Sequence, residues 1–318
     1  MGMDDFIRYL AAKKTVDDRA LNAQVWQALA AHLPPASRPL AVLEVGAGIG
    51  TMVERVLARG LFSRAHYTAI DAAPGLIAVA QRRLPGWAQA NGFAVTVGDA
   101  GNLRLRGREQ EIEIATEAID LFEFATRERK RQRWDVIIAH AVLDLLDIPT
   151  ALSHLLPLLR PDGLLYGTLT FDGITAFLPE LDVAFDARIE ALYHRTMDAR
   201  VTAGRPSGDS RSGRRLFGHL AAAGMEVLAA GGSDWLVFPQ AGRYPHDEAF
   251  FLRFIVQTVQ RALAGHPELD AVRFAAWIAQ RQAQVERGEL VYLAHQVDVL
   301  ARAPSAYSEH PATAPPAP

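Results

Sequence analysis

A chain of 318 residues that is 50% hydrophobic and 22% charged can bury a full core, which excludes a disordered, collagen-like or coiled-coil protein. Its 33 Lys and Arg against 36 Asp and Glu leave a formal charge of −3, so no global basic field recruits nucleic acid. With no cysteine, disulfides, thiolate zinc sites, iron–sulfur clusters and cysteine nucleophiles are all excluded. The stretch Met1 to Asp5 is acidic where a signal peptide is basic, and no apolar run approaches the ~20 residues that span a bilayer. The expectation is a soluble, cytoplasmic protein with no membrane or nucleic-acid partner, whose oligomeric state the sequence leaves open.

The chain opens with two helices, Phe6, Ile7 and Leu10 sharing one face and Leu21, Val25 and Leu29 another, with Thr15 and Asp18 resembling a capping box between them. Pro34, Pro35 and Pro39 end the second. An apolar strand, Leu40 to Val45, runs into a glycine-rich turn and is followed by a helix at 52–59, a strand at 65–70 and a helix at 74–84 that Pro74 opens. Two more apolar strands, Trp134 to Ala139 and Gly163 to Leu169, flank a helical stretch ending near Leu159. This alternation predicts a parallel sheet covered on both faces. Between 92 and 133, Leu103 to Arg106 and Glu111 to Ile114 alternate strictly around Gly107. They predict a β-hairpin with Arg104 and Arg106 opposite Glu111 and Glu113, the competing reading being one helix over 109–130. The basic run Arg127, Arg129, Lys130, Arg131 and Arg133 reads as a solvated helix end.

Beyond the fifth strand, 179–201 reads as an inserted helix with Phe185, Ile189, Leu192 and Thr196 on one face. A polar loop from Gly204 to Gly213 and a helix around Leu216 to Leu220 follow. Met225 to Phe238 reads as a strand broken at Gly231 and Gly232, 246–264 and 268–286 as helices, and Glu289 to Leu300 as a last strand with His295 among its apolar residues. The proline-rich segment 303–318 cannot bury a core and reads as a disordered tail.

The strongest motif is Glu44-Val45-Gly46-Ala47-Gly48-Ile49-Gly50-Thr51, a strand entering closely spaced glycines and then a helix. A dinucleotide fingerprint would place its third glycine at 51, where Thr51 stands. Asp71 ends the second strand, where a carboxylate can accept both hydroxyls of a ribose lying across the strand ends. The glycine spacing with its preceding acid, Asp71, the Trp134 to His140 strand and the Arg160-Pro161-Asp162-Gly163 turn together resemble the class I S-adenosylmethionine-dependent methyltransferases. The resemblance covers residues 40 to 171 well and the last strands loosely.

It implies an α/β fold with a doubly wound, mostly parallel seven-stranded sheet. A helical cover (1–39) precedes a domain at 40–302 that carries a hairpin insertion near 102–115 and helical insertions near 174–215 and 240–287. It implies S-adenosylmethionine as cofactor, held by Glu44, Gly46, Gly48, Gly50, Asp71, Ala72 and His140, and by an acid near the adenine amino group. Asp99 and Asp120 compete for that last role. The helix length left before Trp134 favours Asp120 with Leu121. No metal is implied. At the mouth of the sheet, His140 either contacts the methionine part, serves as the catalytic general base, or only bonds backbone. Tyr193, His194, Arg211 and Trp235 are the candidates for substrate binding, Arg205, Arg214 and Arg215 flanking the same Ser/Gly loop as Arg211. Ala139-His140-Ala141-Val142 stands where amino-methylating DNA enzymes carry an Asp/Asn-Pro-Pro-Tyr type motif, so the expected reaction is methyl transfer to O, N or C of a small metabolite. The alternatives are another S-adenosylmethionine-using transferase, such as one for aminopropyl groups, and a non-catalytic binding or regulatory protein.

Overall fold

The structure, a computed structural model, describes residues 2–35, 37–98, 101–129, 134–202 and 204–305. Strands β1 (Leu40–Val45), β2 (Arg64–Asp71), β5 (Glu111–Ala118), β6 (Trp134–His140) and β7 (Leu159–Leu178) form the parallel part of the sheet. Helices α3 (Thr51–Ala58), α4 (Pro74–Ala90), α5 (Leu121–Glu128) and α6 (Ile148–Leu155) connect them. Every residue of β1 and β6 is buried, because helices cover both faces of the strands at the centre. One face packs Val42 and Tyr67 on Val53 and Val56 of α3, together with Val25 and Leu29 of α2 (Ala23–His32). The other packs Leu43 and Ile137 on Phe124, Leu152 and Leu155, and on Leu216 of α8 (Ser212–Ala222).

The full sheet has ten strands, more than the seven implied by the resemblance, in the order β10-β12-β7-β6-β1-β2-β5-β4-β3 with β11 beside β12. Here β3 is Ala94–Val97, β4 Leu103–Arg106, β10 Glu226–Gly232, β11 Trp235–Val237 and β12 Val291–Arg302. The alternating runs at 103–106 and 111–114 pair antiparallel, Arg104 opposite Glu113 and Arg106 opposite Glu111, so no helix spans 109–130. Arg106 Nη2 lies 2.9 Å from Glu111 Oε1. β5 also pairs parallel to β2, ending with Ala118 beside Asp71. The third parallel strand is therefore the hairpin's second arm, while β3 lies at the sheet edge, antiparallel to β4.

Three expectations are corrected. The first helix, α1 (Met3–Ala20), is unbroken. Thr15 Oγ1 donates to Glu248 Oε1 and Asp18 binds Arg55, so neither caps a helix, and Asn22 instead caps α2 by accepting from the Gln24 and Val25 N–H groups. The fifth strand extends to Leu178, because β7 and β12 pair antiparallel from Leu178 opposite Val291 to Leu164 opposite Arg302. The inserted helix, α7 (Val183–Asp198), accordingly starts after this strand, and 174–178 is sheet. His295 is half-buried and outside the core, its Nδ1 2.7 Å from Asp234 Oδ1, because Tyr292, Ala294 and Gln296 are the residues of β12 turned inward.

The long ends of β7 and β12 carry a third apolar cluster, in which Phe171, Phe177 and Tyr292 pack on α1, α7, α9 (Glu248–Leu263) and α10 (Ala271–Glu286). Ionic contacts fasten this cover: Arg19 bonds both oxygens of the buried Glu248 at 2.6 and 2.8 Å, and the buried Arg281 of α10 meets Asp186 of α7 at 2.9 Å. No helix among the described residues is long and apolar enough to cross a membrane.

Candidate active site

The chain turns to opposite sides of β1 as it lays down β2 and β6, so the crevice at the carboxyl ends of β1 and β6 is the switch point of the sheet. Two loops meet there. After β1, Gly46, Gly48 and Gly50 all have positive φ (69°, 54° and 82°), a conformation an L side chain resists. A Cβ on Gly46 would lie 2.7 Å from Val142 Cγ2, so the loop after β6 packs directly on glycine backbone. After β6, Ala141 has φ 52°, and Leu169 on the neighbouring β7 has the same value, although neither is glycine. Each such residue costs about 1–3 kcal/mol and persists only where its surroundings hold it. Leu169 is held by its N–H donating to Asp298 Oδ1 at 2.8 Å, and Ala141 by its N–H donating to the Thr168 carbonyl at 2.8 Å.

A cavity of about 340 Å³ opens over these loops. Its floor is Gly46 to Ile49, His140, Ala141 and Leu169; its walls are Tyr193, Met197 and Arg200 from α7 and the turn after it, Trp235 of β11, Phe254 of α9 and Tyr292 of β12. Its lid is α1, which contributes Phe6, Tyr9, Leu10 and Lys13. Leu10 Cδ1 would stand 3.6 Å from a Cβ on Gly48, so α1 lies against the glycine loop.

Asp71 joins the end of β2 to that loop, its Oδ2 accepting from Gly48 N–H and its Oδ1 from Ala73 N–H, both at 2.8 Å. Each carboxylate oxygen has a second lone pair, so the group can still accept two hydroxyls. Ile119 N–H donates to the Asp71 carbonyl, which sets Asp120 and Leu121 at the same edge of the sheet. Asp120 caps α5, its Oδ1 accepting from Phe122 N–H at 2.8 Å, while the residue as a whole stays exposed. Asp71, Ala72, Asp120 and Leu121 do not line the cavity, and Asp71 reaches its floor through Gly48. Asp99, the competing acid, lies outside the described residues.

Glu44 is buried on β1 and accepts from the Tyr67 hydroxyl at 2.8 Å, away from the cavity lining. Burial pushes its carboxyl up to about 8, so it is mostly protonated at neutral pH.

His140 does line the cavity, with both ring nitrogens engaged. Nε2 lies 2.9 Å from Arg55 Nη1 and Nδ1 2.8 Å from Thr168 Oγ1. A guanidinium can only donate, so Nε2 accepts and the ring proton sits on Nδ1, facing Thr168. Burial, followed by the charge of Arg55, pushes the imidazole down to about 4. The ring is neutral at pH 7, and its one basic nitrogen is turned to Arg55.

Arg55 belongs to a buried cluster that ties α1 to the sheet. Asp17 Oδ2 accepts from Lys13 Nζ at 2.7 Å and faces Arg55 Nη2 at 3.4 Å, Asp17 Oδ1 accepts from Trp235 Nε1 at 2.9 Å, and Asp18 pairs with Arg55 and Lys14. Burial alone would raise the Asp17 carboxyl, but Lys13 and Arg55 draw it well below the ordinary carboxylate range.

Of the residues considered for substrate, Tyr193 and Trp235 reach the cavity. His194 sits behind Phe171, its ring edge-on at 5.4 Å and its Nε2 3.0 Å from Thr175 Oγ1. Arg211 lines a separate surface cleft with Asp147, Arg215 and His219, and Arg214 is tied to Asp172. Lys13, Asp17 and Arg55, whose grouping joins the separated segments α1 and α3, are marked by no sequence pattern, and Asp144 and Arg200 carry no motif.

With this geometry established, residues 43–165 match the family described as a methyltransferase domain. Residues 43–165 thus carry a methyltransferase domain, on a doubly wound, Rossmann-like sheet. Among solved structures it is similar to a candidate type II methyltransferase from Anaeromyxobacter dehalogenans, with 15% identity, a TM-score of 0.49, and 89% of this chain and 97% of that one covered. It is also similar to a cyclopropane synthase from Mycobacterium tuberculosis, with 11% identity, a TM-score of 0.43, and 88% and 83% covered. A third is the geranyl diphosphate C-methyltransferase from Streptomyces coelicolor A3(2), with 8% identity, a TM-score of 0.41, and 87% and 79% covered. No curated protein matches the chain.

Proposed function

We propose that the protein binds S-adenosylmethionine and transfers its methyl group to O, N or C of a small molecule seated in the covered cavity. The observation that carries this reading is the position of that cavity, whose floor is the glycine loop of a methyltransferase domain and whose walls are helices added to that domain. In this reading the backbone of Gly46, Gly48 and Gly50 lies along the methionine part, Asp71 and Ala72 take the ribose, and Asp120 with Leu121 meets the adenine. The donor, when bound, supplies a methyl group already activated on sulfonium sulfur. The chain's own task is then to align the acceptor and exclude water, which accounts for most of such a rate. The α1 lid and the aromatic wall of Tyr193, Trp235 and Phe254 suit that task. His140, neutral and bonded to Arg55 and Thr168, acts in this reading as a positioning residue that fixes the end of β6. Calorimetry with S-adenosylhomocysteine tests donor binding. Incubation with methyl-labelled donor and a metabolite pool tests transfer: S-adenosylhomocysteine as product supports methylation, methylthioadenosine would indicate transfer of the donor's aminocarboxypropyl chain, or of an aminopropyl group where the donor is supplied decarboxylated, and donor binding without turnover would leave a binding protein.

A further inference from the structure

The charged and imidazole side chains that line the cavity are Lys13, His140, Asp144, Arg200 and Asp209. Three of them are already committed. Lys13 is paired with Asp17, His140 is bonded to Arg55 and Thr168, and Asp209 accepts from Arg211 N–H and pairs with Arg215. Asp144 and Arg200 are different. Asp144 Oδ1 is shielded from solvent and has no hydrogen-bond partner, and the Arg200 guanidinium makes no hydrogen bond or ion pair among the described residues. Buried polar atoms are partnered in the great majority of cases, so the orphaned Asp144 oxygen in a cavity wall points to a ligand, and the half-buried Arg200 guanidinium stands beside it.

The two groups are neighbours. A Cβ built on Gly208 would lie 2.7 Å from the Asp144 carbonyl oxygen and 3.2 Å from Arg200 Nη1, so the turn after β6 and the turn after α7 meet at this point of the wall. Although they are within electrostatic reach, the two side chains form no salt bridge with each other among the described residues, which leaves one anionic and one cationic position side by side. Phe171, Tyr193 and Phe254 supply aromatic surface to the same wall, beside Met197, Ile255 and Thr258.

We infer that the acceptor is a zwitterionic amine, an amino acid or a close derivative, with its ammonium held by Asp144, its acid group by Arg200, and its side chain against the aromatic wall. Burial pushes the Asp144 carboxyl up to about 6, the sign of a group that gains from an arriving cation. The planar guanidinium of Arg200 suits a carboxylate. The inference rests on the methyl-donor reading above, which assigns the glycine-loop floor of the cavity to the donor.

The test is calorimetry on full-length protein saturated with S-adenosylhomocysteine, with L-phenylalanine, L-leucine and glycine as probes. Each is compared with its decarboxylated amine and its deaminated acid, for phenylalanine phenethylamine and 3-phenylpropionate. The expected result is that at least one amino acid binds, with both truncated forms roughly tenfold weaker or more, as loss of a charge-assisted contact requires. Asp144→Asn should then weaken the amino acid and the amine but spare the acid, Arg200→Met should do the reverse, and neither should change affinity for S-adenosylhomocysteine. Binding of no amino acid, or binding indifferent to the ammonium, overturns the inference. So does weaker S-adenosylhomocysteine binding in a folded Asp144→Asn protein, which would assign the pair to the donor's methionine part. If Asp144→Asn fails to fold, as read by circular dichroism, Arg200→Met and the wild-type series decide. Failure of wild-type protein to bind S-adenosylhomocysteine is a separate result and counts against the donor reading itself.

Discussion

Replacing Asp17 with Asn tests whether the α1 lid is held by charge. The side chain is 2% exposed and faces two cations, Lys13 Nζ at 2.7 Å and Arg55 Nη2 at 3.4 Å, while also accepting from Trp235 Nε1. Asparagine keeps the shape and one acceptor but leaves Lys13, itself 10% exposed, as a buried ammonium without an anion. Removing one partner of such a pair costs about 3–5 kcal/mol, mostly because the other charge stays buried. Two features lower the figure here: Arg55 keeps Asp18, and the Lys13 ammonium lies 5.1 Å from the Trp235 ring centre, where a cation is attracted to the ring face. The expected loss is therefore about 3 kcal/mol, read as a shifted urea midpoint at pH 7 with unchanged slope. Adding Lys13→Met to Asp17→Asn removes the stranded ammonium and should restore roughly 1–2 kcal/mol of the loss, a coupling expected of residues in contact. A loss below about 1 kcal/mol for the single variant, or no recovery in the double, would show that the cluster does not hold α1 and that apolar packing does.

Further outcomes follow from the same geometry. His140 stays neutral in the folded protein down to about pH 4, whereas the unfolded ring protonates near 6.5, so its contribution is complete above the unfolded value and is lost as pH falls between the two. Glu44, protonated in the fold up to about 8, works oppositely as pH rises, so the quantity to measure is wild type minus His140→Gln. That difference should change by up to about 3 kcal/mol between pH 6.5 and 4, and a flat difference would mean that the ring titrates normally. Gly48→Leu should abolish S-adenosylhomocysteine binding in calorimetry while costing about 1–2 kcal/mol of stability for a side chain at φ 54°. Unchanged affinity in the folded variant would remove the glycine loop from the site. Asp120→Ala should cost ~1.5–3 kcal/mol of donor binding and Asp99→Ala far less, with Asp71→Ala as the positive control. The opposite pattern between Asp120 and Asp99 would mean that adenine lies elsewhere.

The parts of this molecule legible in its sequence are those in which one local pattern has one physical solution. Apolar runs such as Trp134 to Ala139, broken only by Asp135, suit strands covered on both faces, and closely spaced glycines after β1 mark a turn with positive φ. The strict alternation at 103–106 and 111–114 suits paired strands, and the antiparallel register sets Arg106 across from Glu111. Where two partners could satisfy the same residues, local pattern misleads. Thr15 and Asp18 have the spacing of a capping box, yet each bonds a residue far along the chain, Glu248 and Arg55, so the helix runs through them. The apolar alternation of the last strand put His295 inside, but the strand is packed by the sheet and by the helical cover at once, and Tyr292 and Ala294 take the inner positions. The site itself was least legible, because its wall is assembled from α1, the turn after β6, α7 and β11, segments widely separated along the chain that no spacing rule connects. This also bears on how the reaction would be specialised. The glycine loop and Asp71 are fixed by the sheet, whereas Asp144 and Arg200 stand on turns that could change without disturbing any strand, so the choice of acceptor can vary while the methyltransferase scaffold stays constant.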